Sequence, residues 1–77
     1  MEIRNIKSFV QICADGSFSL AAKNLGYAQS SVTAQIQQLE EELGVQLFER
    51  INKKVYLTAA GSRFLEYASD VLQKPGR

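Results

Sequence analysis

Glycines at positions 16, 26 and 44 divide the first part of the chain into segments whose apolar residues recur at helical spacing. In the first segment the apolar side chains fall three and four positions apart, at Ile3, Ile6, Phe9, Val10 and Cys13. This spacing puts them on one face of an α-helix, and a glycine after the last turn can take the left-handed conformation that ends it. The pattern predicts three successive amphipathic helices, ending near Asp15-Gly16, Gly26 and Gly44, that bury their apolar faces against one another.

The second predicted helix is short, and its small side chains allow close packing. Ser17 or Ser19 can cap its start. Its apolar residues are Leu20, Ala21, Ala22 and Leu25. The third helix carries one apolar stripe, made of Val32, Ile36, Leu39 and Leu43. Two helices joined by a short turn are typical of a helix-turn-helix, although unrelated small helical domains share this outline.

The last part of the chain predicts a β-hairpin followed by a fourth helix. Extended runs at 46–50 and 55–57 flank a polar turn at Asn52-Lys53, as expected of a wing. Thr58 can cap the fourth helix, which we expect to end at Pro75-Gly76. Its apolar residues follow near-heptad spacing: Phe64, Leu65, Ala68, Val71 and Leu72. The predicted fold class is mainly α: a winged helix-turn-helix with a three-helix core and a two-stranded β wing, followed by a C-terminal linker helix.

The third helix has an unusual distribution of charge. No residue from Asn24 through Leu39 is charged, and Glu40, Glu41 and Glu42 then follow together. With the apolar stripe turned inward, the outward residues are Ser30, Thr33, Ala34, Gln37 and Gln38, with Ser31 at the edge. Hydroxyls and amides can donate to and accept from base edges, whereas a carboxylate near phosphates is repelled. The face predicts insertion into the major groove of DNA; an ordinary solvated surface helix is the alternative.

Basic residues near this face supply the charge that phosphate binding needs. The whole chain has a formal charge of only +1, so it carries no general basic signature. Arg50, Lys53 and Lys54 around the hairpin turn, with Lys23 on the second helix, are candidates for phosphate contacts on either side of the third helix. For Arg50 an equally good alternative is a structural ion pair with an acid that holds the wing.

Composition argues against several other classes of function. The chain has no histidine, one cysteine and no glycine-rich phosphate loop, so we expect no enzyme, no metal site and no cofactor. We expect Cys13 to pack in the core. No apolar run is long enough for a membrane span and the start lacks a leader pattern, which predicts a cytoplasmic protein.

The residues carry a resemblance over nearly the whole chain. The stretch SFSLAAKNLGYAQSSVTAQIQQLEEELGVQLFER, followed by LTAAG, resembles the N-terminal DNA-binding domain of LysR-type transcriptional regulators. Its most specific parts are Ser17-Phe18, Ala21-Ala22, Gln29, Ser31-Val32-Thr33, Ile36, Leu39-Glu40, Leu43-Gly44, Leu47-Phe48, Arg50, Leu57-Thr58 and Gly61. The resemblance implies a winged helix-turn-helix with its third helix in the major groove of double-stranded DNA and its wing on the backbone.

The resemblance also implies roles for individual residues. Gln29, Ser30 and Thr33 match family positions that approach bases, and Ser31 and Arg50 match positions of backbone contacts. Departures from the family pattern occur in the third helix. Ala28 stands where a capping Ser or Thr is frequent and Ser30 where Pro is frequent, which suggests that Ser30 itself caps the helix. Ala34 stands where Arg is frequent, which leaves at most an apolar contact with a thymine methyl.

The resemblance further implies a division of the chain and a set of partners. Residues 1–58 are expected to form the DNA-binding domain, with the helix-turn-helix at about 18–37, and 59–77 the start of a linker helix. A homodimer through that helix would bind an interrupted inverted repeat, and a small-molecule effector would bind only to a C-terminal domain absent here. The apolar residues of the fourth helix are the dimerisation candidates, although they can also pack on their own domain. The alternative of another class is a helical protein-interaction or dimerisation module that does not bind DNA.

Overall fold

The computed structural model describes residues 1–73, and its elements follow the predicted order. They are α1 (Ile3–Asp15), α2 (Phe18–Leu25), α3 (Gln29–Leu43), β1 (Phe48–Ile51), β2 (Lys54–Leu57) and α4 (Ala59–Leu72). The predicted winged helix-turn-helix is therefore confirmed. The fourth helix ends at Leu72, with Gln73 as its C-cap, before the predicted end at Pro75-Gly76, which itself lies outside the described residues. None of the helices within 1–73 has the length and apolarity needed to cross a membrane.

The predicted helix ends are confirmed by the backbone geometry. Gly16, Gly26 and Gly44 have φ angles of 70°, 78° and 71°, the left-handed conformation in which a side chain would be strained. Ser17 caps α2, because its hydroxyl oxygen accepts from the backbone N–H of Leu20 at 3.1 Å. Three changes of chain direction are thus fixed by local sequence alone.

Four phenylalanine rings join the helices to the wing. The ring centroid of Phe9 on α1 lies 5.2 Å from that of Phe48 on β1 and 5.1 Å from that of Phe64 on α4. Phe18 on α2 meets Phe48 edge-on at 5.5 Å. Tilted and edge-on pairs at these distances are favourable beyond the apolar area that they bury. This cluster fixes where the wing lies relative to the helices.

The predicted apolar face of α1 needs a correction. Ile3 is 49% exposed, whereas the polar residues Asn5 and Ser8 are 2% and 0% exposed. Both polar side chains donate hydrogen bonds to α3, so neither is left without a hydrogen-bond partner when it is buried. The face of α1 that meets α3 therefore includes polar residues that apolar spacing alone does not reveal.

Cys13 is half-buried and packs against the core, as expected. Desolvation by burial raises the pKa of its thiol from 9.0 to about 11, because a thiolate is penalised in these surroundings. The residue therefore stays a neutral thiol at ordinary pH.

The wing is a tight antiparallel hairpin in which Ile51 pairs with Lys54. The two residues of its turn, Asn52 and Lys53, have φ angles of 53° and 68°. Positive φ at both central positions is the pattern of a type I′ turn, which suits the twist of a hairpin. Asn tolerates this conformation well, whereas Lys53 adopts it at a cost.

The start of α4 is hydrogen-bonded to the chain just before β1. Because Gln46 and Leu47 bond to Thr58, the strand begins at Phe48 and not at Gln46. The Thr58 hydroxyl accepts from the backbone N–H of Gly61 at 2.9 Å and donates to the carbonyl of Gln46 at 2.6 Å. The fully buried Leu47 accepts from the backbone N–H of Thr58 at 3.0 Å. A Cβ on Gly61 would lie 2.1 Å from the Leu47 carbonyl oxygen, so this helix position has room only for glycine.

Candidate nucleic-acid interface

The N-terminal turn of α3 is open to solvent. Ala28 precedes the helix, and no side chain caps this end. The backbone N–H groups of Ser31 and Val32 donate to the Ala28 carbonyl, which leaves those of Gln29 and Ser30 directed outward. Ser30 is the second residue of the helix, so the prediction that it caps α3 is wrong. The uncapped turn instead presents N–H groups and a partial positive charge to any anion in front of it.

The exposed face of α3 keeps most of the predicted residues. Ser30, Ser31, Ala34 and Gln37 are exposed, and Thr33 is half-buried on the flank that faces the wing. This surface carries hydroxyls, an amide and a methyl group and no charge. Such groups can approach base edges closely, because they are short or uncharged and lose little on desolvation.

Gln38, predicted on the outward face, belongs to a different flank. Its side-chain carbonyl oxygen accepts from Asn5 Nδ2 at 3.1 Å, so it is held toward α1. One turn earlier, Gln35 accepts from the hydroxyl of Ser8. The outward face is therefore narrower than the helical wheel predicted.

Two of the three glutamates at the acidic end of α3 have partners in the fold. Glu40 is half-buried, and its Oε2 accepts from the backbone N–H of Leu47 at 2.8 Å, which fixes the chain between α3 and β1. Glu42 lies 3.6 Å from the N-terminal ammonium group of Met1. Both carboxylates are thus held at the end of α3 away from its open N-terminal turn.

Arg50 is held by an aromatic ring. Its guanidinium carbon lies 4.8 Å from the centroid of the Phe18 ring, a cation–π distance. No carboxylate within residues 1–73 forms an ion pair with Arg50. The alternative in which Arg50 holds the wing through an acid is therefore wrong for the described residues. Stacking on the ring does not use the N–H donors of the Arg50 guanidinium, so they can bind another partner.

Arg50 stands between two grooves that the candidate residues line. One, of about 160 Å³, is lined by Ser17, Ser19, Gln29, Arg50 and Lys53 among others. The other, of about 290 Å³, includes Thr33, Gln37 and Arg50 in its lining. The fold thus brings together the start of α3, the middle of α3 and the wing around one guanidinium.

The start of α2 was missed as part of this surface. Ser17 and Ser19 are joined by a hydrogen bond of 3.1 Å between their hydroxyls, and both line the first groove. The sequence marked Ser17 or Ser19 as a cap, but only the fold puts this helix start beside the wing. Its first N–H groups add donors where Arg50 and Lys53 add charge.

The two wing lysines lie on different parts of the hairpin. Lys53 is at the tip and lines the first groove, whereas Lys54 pairs with Ile51 on the face opposite Arg50 and Val55. Lys23, in the last turn of α2, is exposed. The fold therefore gathers Lys53 with Arg50 and leaves Lys54 on the outer side of the wing.

The dimerisation candidates on α4 divide into two groups. Phe64 and Ala68 are 8% and 0% exposed, because they pack into the core of their own domain. Their side chains are not available to a second copy, which corrects the prediction for these two residues. The remaining candidates are half-buried: Leu65, Val71 and Leu72. Tyr67, which apolar spacing did not select, is 54% exposed with its ring 5.7 Å from that of Phe64.

Within residues 1–73, no group of three or more histidine, cysteine, aspartate or glutamate side chains is placed to hold a metal ion.

Comparison with known proteins gives the family. The family described as "Bacterial regulatory helix-turn-helix protein, lysR family" matches residues 3–62. The chain belongs to the LysR family. Among curated relatives, the HTH-type transcriptional regulator YwqM of Bacillus subtilis (strain 168) is 47% identical over 72 residues, 94% of this chain and 25% of that protein. ClcR of Pseudomonas putida is 46% identical over 94% of this chain and 24% of its own length. This LysR-family chain thus spans about a quarter of the length of such regulators.

Solved structures of LysR-family proteins share the fold closely. The DNA-binding domain of CbnR, in a crystal structure with DNA, superposes with a TM-score of 0.90 at 44% identity, covering 95% of this chain and 84% of that one. The DNA-binding domain of BenM, in complex with catB site 1 DNA, gives a TM-score of 0.89 at 44% identity, covering 94% and 81%.

Proposed function

We propose that this chain is the DNA-binding part of a LysR-type transcriptional regulator of bacteria and binds double-stranded DNA sequence-specifically, with α3 in the major groove. The observation that carries the proposal is the uncharged outward face of α3, beside which Arg50 and Lys53 supply positive charge. An uncharged face reads bases and flanking cations hold the backbone. The proposal includes a cytoplasmic location and no enzymatic activity, since the relatives are described as transcriptional regulators.

The proposed contacts divide by chemistry. Base edges face the side chains on and beside the outward surface of α3: Gln29, Ser30, Thr33, Ala34 and Gln37. Phosphates face Ser31, Arg50, Lys53 and Lys54. Amides and hydroxyls can bond to base edges, and Ala34 can contact a thymine methyl. The outward N–H groups of Gln29 and Ser30 add donors to a phosphate at the start of the helix.

The comparisons support this proposal. Both structural relatives named above are complexes with DNA, and each covers nearly the whole chain at 44% identity. At that identity over the same fold, a shared mode of binding is the simplest inference.

The proposed assembly is a homodimer through α4. Leu65 and Leu72 are half-buried on one flank of α4, next to the buried Phe64 and Ala68. The half-buried Val71 and the exposed Tyr67 lie on the other flank, and a second copy that covers either flank would bury further apolar side chains. Two copies would hold their α3 helices about one DNA turn apart or a multiple of it, which calls for an interrupted inverted repeat. A small-molecule effector would act only through a C-terminal domain outside this chain.

Selection of duplexes from a random pool tests the proposal. We expect an enriched inverted repeat whose affinity falls steeply as salt rises, because phosphate contacts release counterions. Lys53→Ala should lower the slope against salt by about one, whereas Arg63→Ala, which removes a charge near Leu43 and Val45, should leave it unchanged. A pool that shows no enrichment would contradict the proposal and favour a protein-interaction module.

A further inference from the structure

The contact between α1 and α3 includes buried polar side chains. Asn5 and Ser8 are 2% and 0% exposed, which is unusual for such residues. Asn5 donates to Gln38 at 3.1 Å, and Ser8 donates to Gln35. Within residues 1–73, every buried side-chain nitrogen and oxygen has a hydrogen-bond partner, so this contact is fully satisfied.

The geometry of these two bonds restrains α3 in two directions. Asn5 and Ser8 are three positions apart on α1, and Gln35 and Gln38 are three positions apart on α3. The pairing is antiparallel, so one turn of each helix is joined to one turn of the other. Hydrogen bonds depend on distance and angle, whereas apolar contacts are non-directional. The apolar stripe of α3 holds the helix on the core, and the two bonds fix its rotation and its axial position.

The restraint lies on the side of α3 away from the wing. At roughly 100° per residue, Gln35 and Gln38 occupy one flank of the helix, and Thr33 and Gln37 lie toward the other. Thr33 and Gln37 line the groove that contains Arg50. A rotation of α3 that broke the bonds to α1 would therefore move Thr33 and Gln37 relative to that guanidinium. Base recognition tolerates displacements of only about 0.5 Å.

We propose that Asn5 and Ser8 are positioning residues for sequence discrimination: they set the rotation and axial position of α3 and never touch DNA. The inference rests on the proposed function, because discrimination between duplexes is what the position of α3 controls. Neither residue is part of the face that meets DNA. Their loss should lower the affinity for a preferred duplex and leave affinity for unrelated duplexes unchanged.

The test is the double variant Asn5→Ala with Ser8→Ala, compared with Ile12→Val. Ile12 is buried on α1, so its truncation by one methyl group destabilises the domain without touching the polar contacts. We expect the double variant to lose roughly fivefold or more in the ratio of affinities for preferred and random duplexes, the size of one weakened base contact. The slope against salt should stay at the parent value, and Ile12→Val should keep the parent ratio. Ser8→Ala alone, which is nearly isosteric, guards against a double variant that does not fold and should change the ratio in the same direction.

Residual dipolar couplings of the free proteins supply a second, DNA-independent measurement. We expect the orientation of α3 relative to α1 to differ between parent and double variant, and to be the same in parent and Ile12→Val. The inference would be overturned if the ratio of affinities for preferred and random duplexes in the double variant stayed within about twofold of the parent value. It would also be overturned if Ile12→Val lowered that ratio equally, or if the orientation of α3 were the same in the parent and the double variant. If the parent bound all duplexes with the same affinity, the proposed function would be wrong. The residual dipolar couplings would then decide by themselves whether Asn5 and Ser8 position α3.

Discussion

Replacing Gly61 with alanine would put a methyl group where the backbone of Leu47 already lies. The new Cβ would be 2.1 Å from the Leu47 carbonyl oxygen and 2.9 Å from a methyl carbon of Leu57. An ordinary contact needs about 3.5 Å, so α4 would have to move away by more than about 1 Å. The same carbonyl accepts from the backbone N–H of Thr58 at 3.0 Å, so a movement of α4 would also weaken that hydrogen bond.

The expected cost of Gly61→Ala follows from these contacts. Overpacking of this kind costs about 1–3 kcal/mol, and a weakened bond to a buried carbonyl adds about 1–3 kcal/mol. Alanine returns about 1 kcal/mol through its better helix propensity. We therefore expect a net loss of about 3 kcal/mol in the free energy of unfolding, or about 12–24 °C in Tm for a domain of this size.

Urea and thermal unfolding followed by circular dichroism measure this loss. Ser62→Ala is the matched control, since Ser62 is exposed in the same turn of α4 and its replacement should change stability by less than about 0.5 kcal/mol. If Gly61→Ala unfolded at the same temperature as Ser62→Ala, the close approach of α4 to Leu47 would be wrong.

Further changes test the wing, the outward face of α3 and the core. Lys53→Gly should stabilise the domain by about 1 kcal/mol, because glycine adopts positive φ without strain, while lowering the slope of DNA affinity against salt by about one. Urea unfolding and salt titrations measure the two effects, and a destabilised variant would contradict the turn geometry. Thr33→Val should lose about 1–3 kcal/mol of discrimination between preferred and random duplexes in anisotropy titrations, and equal losses on both would remove its role at a base. Phe48→Ala should lower the free energy of unfolding by about 3 kcal/mol, since its half-buried ring packs on two other phenylalanines, and a Tm like that of the parent would refute this. The pKa of Cys13, raised from 9.0 to about 11, cuts the thiolate fraction at pH 8 about a hundredfold, so a disulfide reagent should react slowly until urea unfolds the chain.

The helix ends and the wing turn were predictable because each depends on local sequence. Gly16, Gly26 and Gly44 end their helices wherever the rest of the chain lies, and Thr58 caps α4 through a residue three positions away. Asn52 tolerates the positive φ of a hairpin turn, and the extended runs on either side of Asn52-Lys53 indicated where the turn lies, although Lys53 is not a residue that favours it. The mainly α winged fold followed from these signals in order.

Several errors arose where a residue's role depends on a partner in another element of the fold. Asn5 is buried because Gln38, thirty-three positions away, accepts its hydrogen bond, and nothing near Asn5 indicates this. Glu40 belongs to a run of three glutamates, and nothing in that run indicates that its carboxylate accepts from the backbone N–H of Leu47. Near-heptad spacing on α4 cannot tell Ala68, which packs into its own core, from residues facing a second copy.

The candidate site was predicted as a set of residues but not as an arrangement. Thr33, Arg50 and Lys53 were chosen from the sequence, yet their grouping depends on the ring of Phe18, which carries the Arg50 guanidinium to the start of α3. A cation–π contact between residues thirty-two positions apart leaves no pattern in the sequence.

An NMR titration of the ¹⁵N-labelled domain with a duplex selected from the random pool, at low ionic strength, tests the insertion of α3 into DNA most directly. We expect the largest amide shifts on Gln29, Ser30 and Thr33, followed by Arg50 and Lys53, with small shifts on the flank of α3 that faces α1. Amide signals of α3 that stayed in place at saturating duplex would contradict this expectation.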